Sequence, residues 1–235
     1  MIYFSHLPLE KEILEALEQL KINYVFQSIF EADGKTIFAR EALMRPEEMT
    51  VTELIDKYMK EDKLHVLEVA TFFGAMQEYQ MRSYTEKISL NAFPSECFTL
   101  AEQKAFIDYF GDMRGKGIVE ILETPYISEE ACSNKKKAIF RENFMLAVDN
   151  FGTGLNSDKS VISRYNPKII KLDRELISGI DKDPAKQEHV KSLVLDFHKL
   201  DILVGVEGVE TKEEFNYLVG LGVDLFQGYY LERPA

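Results

Sequence analysis

The strongest constraint on the fold is a regular alternation of strand-like and helix-like segments along most of the chain. Short apolar runs alternate with stretches of helical period, and the sequence contains eight such strand segments within 235 residues. Repeated strand–helix units build parallel sheets, and eight units of this length close into a ring. We therefore predict an α/β fold of the TIM-like (β/α)8 barrel type.

The first two strands depart from this alternation. The runs INYVFQSIF and TIFAREALM are separated only by EADGK, which contains Asp33-Gly34. An Asp-Gly pair between two apolar runs is a strong hairpin signal. The barrel is therefore predicted to have an antiparallel first strand.

The remaining elements follow from apolar periodicity. The later predicted strands are KISLNA, IVEIL, FMLAVD, KIIKL, ILVGVE and VDLFQ. Helices are predicted near 9–20, 51–60, 63–81, 99–112, 128–142, 156–164, 184–200 and 211–221. We expect residues 1–21 to form an N-terminal helical cap or a linker remnant, and residues 22–235 to form the barrel domain.

The charge balance excludes one class of partner. The chain carries 28 Lys+Arg against 40 Asp+Glu, a formal net charge of −12. An acidic protein repels a phosphate backbone unless it has a basic stripe, and the run Lys135-Lys136-Lys137 is interpreted as a solvated helix face. We therefore expect no extended nucleic acid as partner, although a small anion can bind where metal ions supply positive charge.

The cysteines and the apolar runs indicate a compartment. Cys97 and Cys132 have no metal-site spacing, which is typical of buried thiols in a reducing environment. The first 20 residues lack the features of a signal peptide. No apolar run approaches the roughly 18 residues that cross a bilayer. We expect a cytoplasmic protein with no membrane contact by this segment, and we assign no catalytic role to its histidines.

Polar residues recur where the predicted strands end, which is the active face of such barrels. In strand order they are Glu41, Asn91, Glu120, Asp149 with Asn150, Lys171, Glu207 and Gln227. Three of the acids lie within apolar sequence, in FAREALM, IVEIL and LVGVEGV. Buried carboxylates need partners, and only Lys171 and Arg45 are cations at comparable positions. Oxygen ligands with excess negative charge favour Mg²⁺ or Mn²⁺, and four carboxylates balance two such ions.

The stretch DNFGTG, residues 149–154, follows the fifth strand. Its two glycines allow a sharp turn and a close approach to a ligand. Taken alone, the stretch is equally consistent with an ordinary strand-to-helix turn. Because the stretch begins with Asp149, its backbone can set the orientation of the Asp149 carboxylate toward a metal.

In their order along the chain, these motifs resemble the EAL domains, which are phosphodiesterases of the bacterial messenger cyclic di-GMP. The matching segments are FQSIFEADGKTIFAREALMR, LNAFP, EILE, AVDNFGTG, IIKLDR, VEGVET and FQGYYLERP. The similarity runs from about residue 22 to the C-terminus. It departs in EILE, where Leu122 replaces a Thr.

The resemblance implies a role for each strand-end residue. A first metal would be held by Glu41, Asn91, Glu120 and Asp149, and a second by Asp149, Asn150 and Glu207. Lys171 and Glu207 would position and deprotonate the attacking water. The substrate would contact Gln27, Leu43, Arg45 and Gln227. Glu123, which would anchor the DNFGTG loop, and Asp173 would lie in an outer shell around the metals.

The implied reaction is hydrolysis of cyclic di-GMP to the linear dinucleotide pGpG, with two Mg²⁺ or Mn²⁺ ions. Family members often pair through the helices around the DNFGTG loop, so the resemblance also implies a homodimer. Besides Leu122, three positions depart from the family pattern: Asn150 replaces a second Asp, Ser28 replaces a Pro, and Pro46 replaces an aromatic residue.

The Asn150 departure leaves two functions open. An amide keeps an oxygen ligand but loses a full negative charge, so affinity for the second metal should fall. The chain is then either a working phosphodiesterase of reduced rate or a receptor that binds cyclic di-GMP without efficient turnover. A glycosidase would also use paired carboxylates, but the chain has no Trp for a sugar platform and a glycosidase would not need the Asn and Lys of this rim.

Overall fold

The computed structural model describes residues 9–111, 113–124, 127–152 and 159–235, apart from the side chain of Phe140. Eight strands form a closed barrel in the order β1 to β8. The strands are β1 Ile22–Glu31, β2 Ile37–Pro46, β3 Lys87–Ala92, β4 Gly117–Ile121, β5 Met145–Phe151, β6 Ile169–Leu172, β7 Leu203–Val206 and β8 Leu225–Phe226. The predicted barrel is confirmed.

Helices surround this barrel. They are α1 Lys11–Gln19, α2 Val51–Lys60, α3 Leu64–Met81, α4 Leu100–Phe110, α5 Glu129–Arg141, α6 Ser160–Tyr165, α7 Arg174–Ile177, α8 Pro184–His198 and α9 Lys212–Gly220. Three of them, α2, α4 and α9, begin with a Thr and carry a Glu three residues later in a complete capping box. Each box satisfies backbone N–H groups that the first turn leaves unpaired, so these helices start at fixed residues.

The hairpin signal at Asp33-Gly34 produces the expected turn. Asp33 Oδ1 accepts hydrogen bonds from the backbone N–H groups of Lys35 and Thr36, each at 2.8 Å. β1 is antiparallel to both β2 and β8, whereas the other neighbouring strands are parallel. The register places Gln27 opposite Glu41.

The parallel register carries the polar strand ends to one rim. Asn91 on β3 lies opposite Glu120 on β4, and Lys171 on β6 lies opposite Gly205 on β7. Glu207 and Gln227 directly follow β7 and β8. Residues at the carboxyl ends of parallel strands meet at the same edge, so the barrel gathers side chains from distant parts of the sequence.

The helix α1 packs onto the barrel layer. Ile13 and Leu17 are buried in the same apolar cluster as residues of α3 and of the barrel strands. The division between residues 1–21 and 22–235 stays a prediction. Within the described ranges, none of the helices combines the length and the apolar character that a membrane crossing requires.

Two sequence expectations need correction. The run of lysines is not uniformly a solvated face, because Lys135 is only 6% exposed and pairs with Glu68. The short helix α7 and a 3-10 turn at Ile180–Lys182 were not predicted. Residues 156–158 of the helix predicted near 156–164 lie outside the described residues, and α6 covers Ser160–Tyr165.

Candidate active site

Four carboxylates from separate strands surround one ammonium group at the rim. Lys171 Nζ lies 2.8 Å from Glu120 Oε2, 3.2 Å from Glu41 Oε2 and 3.7 Å from Asp149 Oδ1. It also forms an ion pair with Glu207. Glu41, Glu120, Asp149 and Lys171 are buried, whereas Glu207 is half-buried. The acids predicted to gather at one place therefore do so, around the predicted lysine.

Amide side chains orient Glu41 within this cluster. Asn91 Nδ2 donates to Glu41 Oε1 at 3.1 Å, and Gln227 Nε2 donates to Glu41 Oε2 at 2.7 Å. The second amide also donates to Gln27 Oε1 at 3.2 Å. Both oxygens of Glu41 are thereby held, with Lys171 on one of them. This fixes the carboxylate in one orientation at the mouth of the barrel.

The pKa shifts in the cluster indicate that Lys171 alone does not neutralise the four acids around it. Burial, together with the negative charges of Glu41 and Asp149, raises the pKa of Glu120 to about 8 although Lys171 opposes the shift. Burial and the same neighbouring acids also raise the pKa of Glu207 well above its ordinary value. Burial acts against ionisation of Glu41 too, but Lys171 and the hydrogen bonds from Gln227 and Asn91 outweigh it and lower that pKa. The cluster thus carries more negative charge than Lys171 can neutralise.

The donor set fits hard divalent cations. Glu41, Glu120 and Glu207 each offer an oxygen atom, and these atoms lie within 4.8 Å of one another. Gln227 Oε1 is buried and has no hydrogen-bond partner among the described residues. Carboxylate and amide oxygens in acidic excess suit Mg²⁺ or Mn²⁺ rather than zinc.

The end of β5 has an irregular backbone. The pairing with β6 shifts register between Val148 and Phe151, and Asn150 has a φ of +50°. Asn150 Nδ2 donates to Asp149 Oδ2 at 3.1 Å. Gly152 follows at φ +101°, where a side chain would be strained. This irregularity lies where Asp149 approaches Lys171 at the rim, while Thr153 and Gly154 of DNFGTG lie outside the described residues.

An open cleft of about 300 Å³ borders the acid cluster. Its walls include four residues predicted for substrate or catalysis, namely Gln27, Leu43, Glu207 and Gln227, together with the metal-site residue Glu41. A Cβ atom at Gly228 would lie 2.2 Å from Val209 O, so only glycine allows these backbones to approach so closely. The cleft therefore joins predicted metal-binding and substrate-binding residues in one space.

Several residues of the site were missed by the sequence analysis. The cleft is also lined by Arg174, Glu210 and Tyr229, and Arg174 Nη2 pairs with Glu210 Oε2 at 2.7 Å. Ser89 donates a hydrogen bond to Glu120 Oε1. Strand alternation was the available signal for Ser89, since it lies two residues before Asn91 and faces the same side. The motifs VEGVET and FQGYYLERP contained Glu210 and Tyr229 but did not indicate that these residues line the cleft.

For three further predicted residues, the structure gives local contacts or burial. Arg45 is exposed, and its Nη1 donates to Met44 O at 2.8 Å. Asp173 caps α7, with its Oδ1 accepting from Glu175 N at 2.6 Å. Glu123 is half-buried after β4, and the loop it was predicted to anchor includes residues 153–158, which lie outside the described residues. The site roles of these three residues stay predictions.

Comparison with known proteins gives a matching family model and curated relatives. A family model described as EAL domain matches residues 10–234. The cyclic di-GMP phosphodiesterase TpdA of Vibrio parahaemolyticus is 32% identical over 149 residues, which are 61% of this chain and 25% of that protein. The matched region spans between 18% and 52% of the length of the first five curated relatives.

Solved structures agree with the barrel. A standalone EAL protein from Vibrio cholerae O395, in its c-di-GMP-bound form, superimposes with a TM-score of 0.82 at 25% identity, covering 92% of this chain and 93% of that one. BlrP1 of Klebsiella pneumoniae, in a manganese/cy-diGMP complex, gives a TM-score of 0.78 at 27% identity, covering 92% of this chain and 56% of that one.

Proposed function

Since this chain belongs to the EAL domain family, we propose that it hydrolyses cyclic di-GMP to linear pGpG in a reaction that depends on two Mg²⁺ or Mn²⁺ ions. The observation that carries this proposal is the set of four carboxylates around Lys171 beside an open cleft. Relatives are named cyclic di-GMP phosphodiesterases, and solved EAL structures contain manganese or calcium with the same dinucleotide.

In this proposal, the rim residues divide between two metal sites. The first metal would be held by Glu41, Asn91, Glu120 and Asp149, and the second by Asp149, Asn150 and Glu207. When bound, such ions make a water molecule more acidic and neutralise charge on the attacking and leaving oxygens of a phosphodiester. The acid excess described above supports this assignment, because the cluster lacks the positive charge that two ions would supply.

The chain's own residues would then orient and deprotonate the water. Lys171, buried next to Glu207, can hold the water in line and stabilise negative charge on phosphate. Glu207 is half-buried at the cleft and can accept the proton that the water loses. One P–O bond to the water oxygen forms, one P–O bond of the ring breaks, and the leaving ribose oxygen takes up a proton.

The remaining cleft residues would bind the substrate. Gln27 and Gln227 present amide groups beside Glu41, and Leu43 offers an apolar contact on the same wall. Arg45 would contact a phosphate oxygen after leaving its hydrogen bond with Met44 O. Glu123 and Asp173 would support the loops around the metals from outside.

We also propose that the protein acts in the cytoplasm and pairs as a homodimer. Cys97 and Cys132 are free thiols in the structure, which fits a reducing compartment. Light scattering on the purified chain, over a range of concentrations, tests the dimer by its mass. A monomer at every concentration would refute this part of the proposal.

A receptor function is the second candidate because of Asn150. Its amide lies beside Asp149 and removes one negative charge from the proposed second metal site. Weak binding of that ion would leave the cleft able to bind cyclic di-GMP while slowing its hydrolysis.

The deciding experiment incubates the purified protein with cyclic di-GMP and with Mg²⁺ or Mn²⁺ in turn. We expect metal-dependent formation of linear pGpG, with a higher rate for Asn150→Asp. Glu41→Gln serves as the inactive control. Tight binding without product over long incubation, under either metal, would assign the chain to the receptor class instead.

A further inference from the structure

A buried ion pair outside the acid cluster holds the backbone that leaves β3. Glu68 on α3 is 1% exposed and Lys135 on α5 is 6% exposed. Lys135 Nζ lies 2.8 Å from Glu68 Oε1. Two charges this far from water are stable only when their remaining hydrogen-bonding capacity is also used.

The backbone of Phe93 uses that capacity on both sides. Phe93 N donates to Glu68 Oε2 at 2.7 Å, and Lys135 Nζ donates to Phe93 O at 2.7 Å. The two side chains and this one residue therefore form a closed ring of hydrogen bonds. Rotation of the Phe93 backbone would break both of its bonds to the ring and leave buried polar groups with unsatisfied hydrogen bonds, so the ring resists such movement.

The ring lies next to the proposed first metal site. Phe93 is two residues beyond Asn91, whose Nδ2 donates to Glu41 Oε1 at 3.1 Å. Between them, Ala92 O accepts a hydrogen bond from Leu122 N at 3.0 Å. The end of β3 is thus held from the helical layer by the ion pair and from the β4 side by Leu122.

We propose that Glu68 and Lys135 are positioning residues that fix Asn91 at the metal site through the backbone of Phe93. This rests on the proposed function, in which Asn91 is a metal ligand. Neither residue lines the cleft, and both line a separate, mainly apolar cavity of about 400 Å³ in the helical layer. They act on the site only through the end of β3, because a ligand must be held within about 0.5 Å of its productive position.

A second ion pair, just before the start of β3, provides a control. Glu86 directly precedes β3, and Arg40 Nη2 lies 2.9 Å from Glu86 Oε1. This pair holds the opposite end of β3, away from Asn91. If the ion pairs at the two ends of β3 contribute only to stability, disrupting either pair should lower Tm without changing the Kd for Mn²⁺.

The test compares Lys135→Met, the double variant Glu68→Gln with Lys135→Met, and the control Glu86→Gln. The double variant removes both charges together, so no unpaired ion is left in the interior if the single variant fails to fold. For each folded protein, calorimetry measures the Kd for Mn²⁺, thermal unfolding measures Tm, and hydrogen exchange of the metal-free protein measures protection of Asn91 and Leu122.

We expect the Kd for Mn²⁺ to rise about 10–100-fold in the double variant, as is typical for residues that support metal ligands. Exchange at the Leu122 amide should become faster, whereas Glu86→Gln should change Tm but leave both readouts unchanged. A folded double variant with wild-type Mn²⁺ affinity and wild-type exchange would overturn the proposal.

The exchange measurement separates this proposal from the proposed function. If the wild-type protein binds no Mn²⁺, the proposed metal site fails. Faster exchange at Asn91 and Leu122 in the double variant would then still support the positioning of β3, and unchanged exchange would refute it.

Discussion

Two buried lysines in this protein have similar exposure and opposite surroundings. Lys171 is 4% exposed and Lys135 is 6% exposed. Lys135 faces one carboxylate, Glu68, and one backbone carbonyl. Lys171 forms ion pairs with four carboxylates from four different strands or their ends.

The number of carboxylates around each buried lysine, rather than the burial of the lysine, distinguishes the candidate active site from a structural ion pair. One ammonium and one carboxylate neutralise each other, and the Phe93 backbone completes their hydrogen bonds. Burial, followed by the negative charges of Glu41 and Asp149, raises the pKa of Glu120 to about 8. Burial also raises the pKa of Glu68, so the two sites differ in the number of acids around each lysine. Divalent cations can bind where buried carboxylates outnumber the cations around them, whereas a pair of one carboxylate and one ammonium has no excess charge to attract them.

The largest expected effect is a loss of hydrolysis when one carboxylate of the cluster around Lys171 is removed. Glu41→Gln removes one carboxylate and should lower cyclic di-GMP hydrolysis by more than about 100-fold, since even outer-shell losses at metal sites commonly reach that size. Without metal, the variant should unfold at a lower temperature than wild type, because Lys171 and the hydrogen bonds from Gln227 and Asn91 favour the ionised Glu41 carboxylate in the folded protein. A fully active variant would show that the cluster is not the catalytic metal site.

The next largest effect is a loss of stability when the ion pair of Glu68 and Lys135 is disrupted. Lys135→Met leaves Glu68 buried without its cation and should lower the free energy of unfolding by about 3 kcal/mol, measured by denaturant titration. Added Mn²⁺ should not restore this loss.

Lys171→Met is the matched comparison for that measurement. It should also destabilise the metal-free protein, because four acids lose their one shared cation. Here Mn²⁺ should restore stability, since the ion replaces the missing positive charge. If Mn²⁺ stabilised neither variant or both equally, the contrast between the two lysines would be wrong.

A smaller effect is expected when the acid surplus is increased. Asn150→Asp adds a carboxylate beside Asp149 and should raise the hydrolysis rate about 10-fold, at the low end of outer-shell effects on metal sites. Initial rates measured across a series of Mn²⁺ concentrations check this. Asn143→Asp serves as a control, because Asn143 is exposed in a turn before β5 and also has a positive φ, +53°. Equal rates at every Mn²⁺ concentration would show that Asn150 does not limit turnover.

The smallest effect concerns pH. In the folded, metal-free protein the pKa of Glu120 is about 8, against an ordinary value of 4.5. The folded state therefore binds a proton that the unfolded chain releases, and stability falls as pH rises from about 4.5 to 8. Thermal unfolding should show Tm decreasing by a few degrees between pH 6 and 8, since about 1 kcal/mol corresponds to about 2–4 °C at this chain length.

Glu120→Gln provides the control for this pH dependence. The amide does not titrate, so the slope of Tm against pH should flatten. An unchanged slope would assign the effect to other groups.

Local signals made most of the fold predictable. Asp33-Gly34 determines the hairpin through the hydrogen bonds of its own turn, and the apolar strand runs predicted the barrel. The polar strand ends, Glu41 and Glu120 among them, were predictable because a parallel barrel sends all such ends to one rim. Short elements such as α7 were missed, since four residues show no clear helical period.

Lys135 shows where sequence reasoning fails. Its run of three lysines is typical of a solvated face, but its partner Glu68 lies 67 residues away in sequence. A pattern formed by neighbouring residues cannot predict an ion-pair partner so far away in the sequence. The role of Arg45 stays a prediction: its motif indicates a substrate-binding residue, and in the structure the side chain is exposed and donates a hydrogen bond to Met44 O.

The sequence by itself determined the alternation of strands and helices, the hairpin and the chemical types of the residues at the strand ends, because these depend on neighbours along the chain. Only the tertiary structure decided which acids share one lysine and which lysine is matched by a single acid. Ion pairing in the interior depends on distances between residues that are far apart in sequence, and those distances exist only once the barrel has closed.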